Sequence, residues 1–275
     1  MNSRSKADTF LKISSQFRLG DLDTEKPHPK TSELSFLIKT DLLKAIAILK
    51  EIDIDALDVV KKKSKEILRM KTDIEETLLK NHRIYLVGCG STGRLSLVLE
   101  VLWRKLKTGT KYENTVVSFM AGGDTALIKA IENFEDYPEY AYRQLEELGF
   151  SNGDLLIACT EGGETPFVIG ATEHATKISK TAPYFLYCNP DEILMDLTDR
   201  TTRILQNPSV HRINLSVGPM ALSGSTRMQS STILMYAVGI ALLNSFTDIE
   251  VDQDVNRFVN DLENTDYIMN SAFFQ

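Results

Sequence analysis

Leu86-Val87-Gly88-Cys89-Gly90-Ser91-Thr92-Gly93-Arg94-Leu95 joins an apolar run, Ile84 to Val87, to a helix-forming segment through a glycine-rich turn that carries two hydroxyls. A strand that passes at once into a helix presents unpaired backbone N–H groups and the positive end of the helix dipole at one point. An anion binds well there, and Ser91 and Thr92 add donors of their own.

The same texture continues along the chain. Short runs rich in Val, Ile, Leu and Phe predict strands at 83–88, 115–120, 154–159, 183–188 and 212–216. Helical segments are predicted between and after them at 94–107, 124–133, 137–147, 166–179 and 225–244. Strands alternating with helices imply an α/β fold: a three-layer, doubly wound, five-stranded parallel sheet covered on both faces. Upstream, residues 1–35 are polar and interrupted by Pro27-His28-Pro29, which predicts an arm rather than regular structure. From Thr40, Leu42, Leu43, Ala45, Ile46 and Leu49 recur at helical spacing, and a second helix is predicted from Ile54 to Lys80. The run Lys61-Lys62-Lys63 reads as a solvated face.

Ligands of doubly wound sheets bind beyond the carboxyl ends of the strands. Three of those ends carry small, donor-rich, helix-opening loops. The first is Gly88 to Arg94. The second is Thr160-Glu161-Gly162-Gly163-Glu164-Thr165-Pro166, where Thr165 before a proline is placed to cap the next helix. The third, Gly218 to Arg227, gathers Ser223, Ser225 and Thr226 ahead of a long apolar helix. Three such loops on one edge point to a phosphorylated polar ligand, with Glu161 and Glu164 suited to sugar hydroxyls. Gly88, Gly90 and Gly93 also fit the dinucleotide pattern, but Met120-Ala121-Gly122-Gly123 stands where its acidic residue belongs, and no Walker lysine follows.

The net charge of −7 over 275 residues disfavours nucleic acid as a partner and makes any phosphate site local. Cys89, Cys159 and Cys188 lack metal-ligand spacing and are odd in number, which fits a reducing cytoplasm without disulfides. Neither a signal peptide nor a membrane span is apparent. His28 and His174 read as surface groups, His82 and His211 as structural ones.

From about Asp23 to Leu243 the chain resembles the sugar isomerase (SIS) domain family, in the branch of N-acetylmuramic acid 6-phosphate etherases and glucokinase regulatory proteins. Thr24-Glu25-Lys26 with Pro29, Gly88–Leu95, Ala121-Gly122-Gly123, Glu135-Asp136, Thr165–Gly170, Cys188-Asn189-Pro190 and Gly218-Pro219 through Ser223–Arg227 carry the resemblance. It implies a flavodoxin-like SIS domain at 81–246, an N-terminal arm and helices at 1–80 packing on the core or on a partner subunit, and a C-terminal helical segment at 247–275. The sugar-phosphate site it implies comprises Gly90, Ser91, Thr92, Gly162, Gly163, Glu164, Thr165, Ser223, Ser225 and Thr226, with no cofactor and no metal.

The etherases of this branch remove lactate from a sugar 6-phosphate with two glutamates. Glu135 matches one; Leu102 stands where the other is expected. Glu100, Glu161 and Glu164 are the candidate second carboxyls, though Glu100, two residues from Leu102, is rotated about 200° away on a helix. Gly162 and Glu164 replace a serine and an arginine of the etherases, and Gln229 replaces a lysine. The expectation is therefore a sugar-phosphate-binding sensor or regulator resembling the glucokinase regulatory proteins. The alternative is an etherase-like, metal-independent carbon–oxygen lyase or another sugar-phosphate lyase or isomerase. The implied partners are a hexose or amino-sugar phosphate, a second copy or second SIS domain, and a sugar kinase.

Overall fold

A computed structural model describes residues 3–14, 19–129, 131 and 133–265. The chain begins with α1 (Ser3–Ile13), followed by three short 3-10 turns at Leu19–Asp21, Asp23–Glu25 and Pro29–Thr31. Helices α2 (Leu34–Thr40), α3 (Leu42–Lys62) and α4 (Ser64–Leu79) lead to the sheet. There the chain alternates: β1 (Ile84–Gly88), α5 (Gly90–Leu106), β2 (Val116–Met120), α6 (Thr125–Ile128), α7 (Pro138–Glu147), β3 (Leu155–Cys159), α8 (Pro166–Ile178) and β4 (Tyr184–Tyr187). Helices α9 (Asp191–Leu197) and α10 (Asp199–Leu205), β5 (His211–Asn214), α11 (Gln229–Leu243) and α12 (Val251–Asn264) complete it.

The five strands pair in parallel in the order β2-β1-β3-β4-β5. This is the doubly wound arrangement expected, with its switch point between β1 and β3. Side-chain alternation sorts each strand into two cores. Ile84, Leu86, Leu155, Ile157 and Leu186 face α3, α4, α5, α11 and α12. Tyr85, Val87, Leu156, Ala158 and Phe185 face α7, α8 and α10. The central strands β1, β3 and β4 are thus buried on both faces, which is why they read as continuous hydrophobic runs, whereas the edge strand β5 buries only Ile213.

The upstream helices depart from expectation. A continuous helix from Ile54 to Lys80 would be about 40 Å long at 1.5 Å per residue. The chain instead turns at Lys63 (φ −107°, ψ 15°), and the break lets Leu57, Val60, Ile67 and Met70 all enter one core. The helix expected at 124–133 is cut to Thr125–Ile128, while Ala130 and Glu132 lie outside the described residues. Helices α9 and α10, between β4 and β5, were not anticipated. Of the 247–275 segment, α12 is described and residues 266–275 are outside the described set. Among the described residues no helix is long and apolar enough to cross a membrane.

The arm is clipped onto the carboxyl edge of the sheet. Leu22 and Thr24 are buried, and Thr24 N–H donates to Asn189 Oδ1 at 3.1 Å. Asn189 Nδ2 donates in return to Thr24 Oγ1 at 2.9 Å and to Gly162 O at 2.8 Å. Three segments far apart in sequence meet on one buried amide, beside which Glu25 is held.

Candidate functional site

A cavity of about 680 Å³ opens at this edge, lined by the arm, the β1–α5 and β3–α8 loops, Glu135, Arg200 and the approach to α11. The β1–α5 loop is built by glycine. Gly90 has φ +52°, a left-handed conformation that costs glycine nothing. A Cβ on Gly93 would lie 2.5 Å from Met120 Cβ, so only glycine lets α5 sit this close to β2.

Ser91 lines the cavity, but Thr92 does not. Thr92 is 1 % exposed; its hydroxyl donates to Cys89 O (2.8 Å) and accepts from Cys89 N–H (3.0 Å). It ties the turn and has no donor left for a ligand. Arg94 lines the wall with its guanidinium bonded to the carbonyls of Gly90 and Ala126, at 3.0 Å each.

In the second loop, Glu161, Gly162, Glu164, Thr165 and Pro166 line the cavity. Gly163 turns away, donating its N–H to Thr160 Oγ1. Thr165 sits at the N-cap position of α8 without bonding a helix N–H; its hydroxyl pairs with that of Thr160 at 3.1 Å. Its expected capping role is thus replaced by a bond within the loop. Glu164 is held by Arg200 of α10, through Nη2 to its carboxylate (2.6 Å) and Nε to its carbonyl (2.7 Å). Glu161, 8 % exposed, accepts from Ser91 Oγ and from Ser231 Oγ at 3.0 Å.

The third loop is displaced from its predicted role. Helix α11 starts at Gln229 rather than Ser225, because Gln229 accepts from Ala221 N–H and donates to Pro219 O, closing the loop on itself. Ser223 is exposed, and neither it nor Ser225 lines the cavity, whereas Thr226 and Arg227 do.

The carboxyls separate clearly. Glu100 is removed from the candidates: Oε2 accepts from Ser118 N–H (2.7 Å) and Ser118 Oγ (2.5 Å), Oε1 from Arg104, and the side chain braces β2 outside the cavity. Leu102 is 39 % exposed and likewise outside it. Glu135 lines the cavity, close enough that, with burial, it helps push the Cys89 thiol up out of its usual range. Glu25 also lines the cavity; burial, reinforced by Glu164, raises its carboxyl above the usual glutamate value. Burial pushes Cys159 up to about 12 and Cys188 well above the ordinary thiol value, so all three cysteines are held as thiols.

Glu25, Arg200 and Ser231 were not singled out as site residues in the sequence. Glu25 appeared only within the Thr24-Glu25-Lys26 motif, Arg200 lies on an unanticipated helix, and Ser231 stands inside a stretch read as core helix.

A doubly wound sheet with a polar cavity over its switch point, lined by a helix-opening serine and several carboxyls, defines a sugar-phosphate-related SIS-domain protein. Sequence comparison with known proteins agrees. The family model of the glucokinase regulatory protein N-terminal SIS domain matches residues 61–176. An N-acetylmuramic acid 6-phosphate etherase of Vibrio campbellii is 31 % identical over 241 residues, covering 85 % of this chain and 73 % of that protein. N-acetylmuramic acid 6-phosphate etherase 1 of Bacillus licheniformis is 29 % identical over 247 residues, covering 86 % and 76 %. A solved phosphoheptose isomerase from Francisella tularensis aligns over 74 % of this chain and 94 % of its own, with TM-score 0.48 and 17 % identity. The chain belongs to the SIS-domain family that includes the N-acetylmuramic acid 6-phosphate etherases.

Proposed function

We propose that the chain is an etherase-like carbon–oxygen lyase acting on an amino-sugar 6-phosphate such as N-acetylmuramic acid 6-phosphate, with the phosphate at the Ser91 end of the cavity. The observation that carries this reading is the presence of Glu25 and Glu135 in one cavity, Glu25 half-buried with its carboxyl raised by burial and Glu135 exposed. An elimination needs a base and an acid at once, and a carboxyl raised by burial keeps its proton to higher pH than an ordinary glutamate.

Glu135 takes the proton from the carbon beside the aldehyde. The electron pair forms a carbon–carbon double bond as the ether carbon–oxygen bond breaks. The proton of Glu25 goes to the departing lactate oxygen. Glu25 then takes a proton from water as the water oxygen bonds to the former ether carbon, and Glu135 returns its proton to the neighbouring carbon, which restores both carboxyls. Glu25 stands in for the glutamate that Leu102 replaces. Gly90, Ser91 and Thr226 hold the phosphate end, and Glu164, fixed by Arg200, accepts from sugar hydroxyls.

Two copies of the chain form the working unit in this reading, supported by the apolar row Val98, Val101, Leu102 and Leu106, which α5 leaves 39–55 % exposed. The free cysteines suit a reducing, cytoplasmic setting.

Lactate release from N-acetylmuramic acid 6-phosphate is the test. Release that Glu135→Gln abolishes is the expected result; no release by the folded protein overturns the lyase. A second reading, a sugar-phosphate sensor acting on a sugar kinase, is favoured by Leu102 standing where the etherases carry their second glutamate. It is selected if hexose phosphates raise the melting temperature and no lactate appears.

A further inference from the structure

The hydroxyl that opens α5 is not waiting empty for a ligand. Ser91 Oγ donates to Glu161 Oε1, and Ser231 Oγ, from the first turn of α11, donates to the same oxygen at 3.0 Å. The carboxylate that receives them is 92 % buried by its 8 % exposure, yet it reaches the cavity. A carboxylate oxygen bonded to the serine of a helix-opening loop is chemically what a phosphate oxygen would be in that place: an anionic acceptor at the positive end of a helix.

We propose that Glu161 is an internal competitor for the phosphate end of the cavity and sets the site's selectivity. This rests on the reading of the Ser91 loop as the phosphate end. A phosphorylated ligand binds only by taking Ser91 from Glu161, and the displaced carboxylate stays close enough to oppose it. Inorganic phosphate, which brings no other contacts, is held weakly. A sugar phosphate overcomes the competition through the hydroxyl contacts of Glu164 and the rest of the wall. The arrangement thereby rejects small free anions in favour of the phosphorylated sugar, and it does so with a residue outside the proposed proton-transfer pair.

The test titrates inorganic phosphate, glucose 6-phosphate and glucose into the wild type and into Glu161→Gln and Glu161→Ala, each first checked for an unchanged melting profile. The glutamine keeps an acceptor for Ser91 and Ser231 and removes the charge, so it is the variant that decides if the alanine fails to fold. The expected result is at least tenfold tighter inorganic phosphate in both variants, a smaller gain for glucose 6-phosphate, and no change for glucose. Adding Ser91→Ala to Glu161→Gln should cancel the gain. Phosphate binding that is unchanged, weaker or undetectable in folded Glu161→Gln overturns the proposal, as does a gain that survives loss of Ser91. Lactate release is scored separately: its absence removes the lyase reading and leaves this inference to the phosphate titration.

Discussion

Thr24 and Asn189, 165 positions apart, exchange two hydrogen bonds in a buried setting, Thr24 N–H to Asn189 Oδ1 and Asn189 Nδ2 to Thr24 Oγ1. Replacing Asn189 by alanine leaves the buried Thr24 N–H and hydroxyl without their partner and frees the Gly162 carbonyl at the cavity wall. A loss of about 2–4 kcal/mol in unfolding free energy is expected, on the scale of one or two buried groups left unsatisfied. Urea denaturation measures it, and an unchanged midpoint would show that the clip contributes nothing.

Glu25→Gln should lower lactate release by about 10²–10⁴, the usual span for a lost general acid. Ligand-induced thermal stabilisation should persist. Because burial and Glu164 raise the Glu25 carboxyl, its acid form survives to higher pH than an ordinary glutamate, and the wild-type rate falls as pH rises through that raised value. The residual activity of Glu25→Gln should lack this alkaline limb; a limb that remains assigns the acid elsewhere.

Glu100→Ala should destabilise the fold by about 1.5–3 kcal/mol, since the carboxylate accepts from both the backbone and hydroxyl of Ser118. Hexose phosphate affinity should not move. Parallel chemical denaturation and ligand titration separate this bracing role from a role in the site.

Gly93→Ala places a methyl 2.5 Å from Met120 Cβ, and α5 must retreat from β2. Overpacking of this kind costs about 1–3 kcal/mol. The retreat also moves Ser91, so ligand-induced stabilisation should fall with the melting temperature. A variant of wild-type stability would mean that the helix has room to spare.

Thiol-blocking reagents should leave the folded protein's activity and ligand binding unchanged. Cys89, Cys159 and Cys188 are buried and held protonated, with Cys159 pushed up to about 12. Mass spectrometry of the native protein after iodoacetamide should find no modified cysteine, and rapid labelling would contradict the burial described.

The sheet was legible because its central strands are apolar on both faces, so runs such as Ile84–Val87 and Leu155–Cys159 stand out without knowledge of any partner. The glycine loop was legible because Gly90 and Gly93 answer a backbone and a packing demand that no other residue meets. Hydroxyl roles were not, because a serine or threonine can serve a ligand or its own turn. Ser91 faces the cavity while Thr92, one residue on, closes back on Cys89. Nor could sequence tell that Gln229 would hold two backbone groups and delay α11, or that Arg200 would reach Glu164 from another helix. Those outcomes depend on contacts between distant segments, and local pattern carries no trace of them.

The arm that brings Glu25 to the cavity lies upstream of every strand and meets the sheet's edge at Leu22, Thr24 and the Asn189 amide. The loops that line the cavity arise from the sheet itself, and the second is tied to the arm through the Asn189 amide, which bonds both Gly162 O and Thr24. In the proposed reaction the acid, Glu25, therefore comes from the arm, while the base, Glu135, comes from the sheet-forming part of the chain. On that proposed reading, unclipping the arm would withdraw one of the two carboxyls and leave Ser91, Glu135 and Glu164 at the cavity wall, so a single buried amide would decide whether both carboxyls share one pocket.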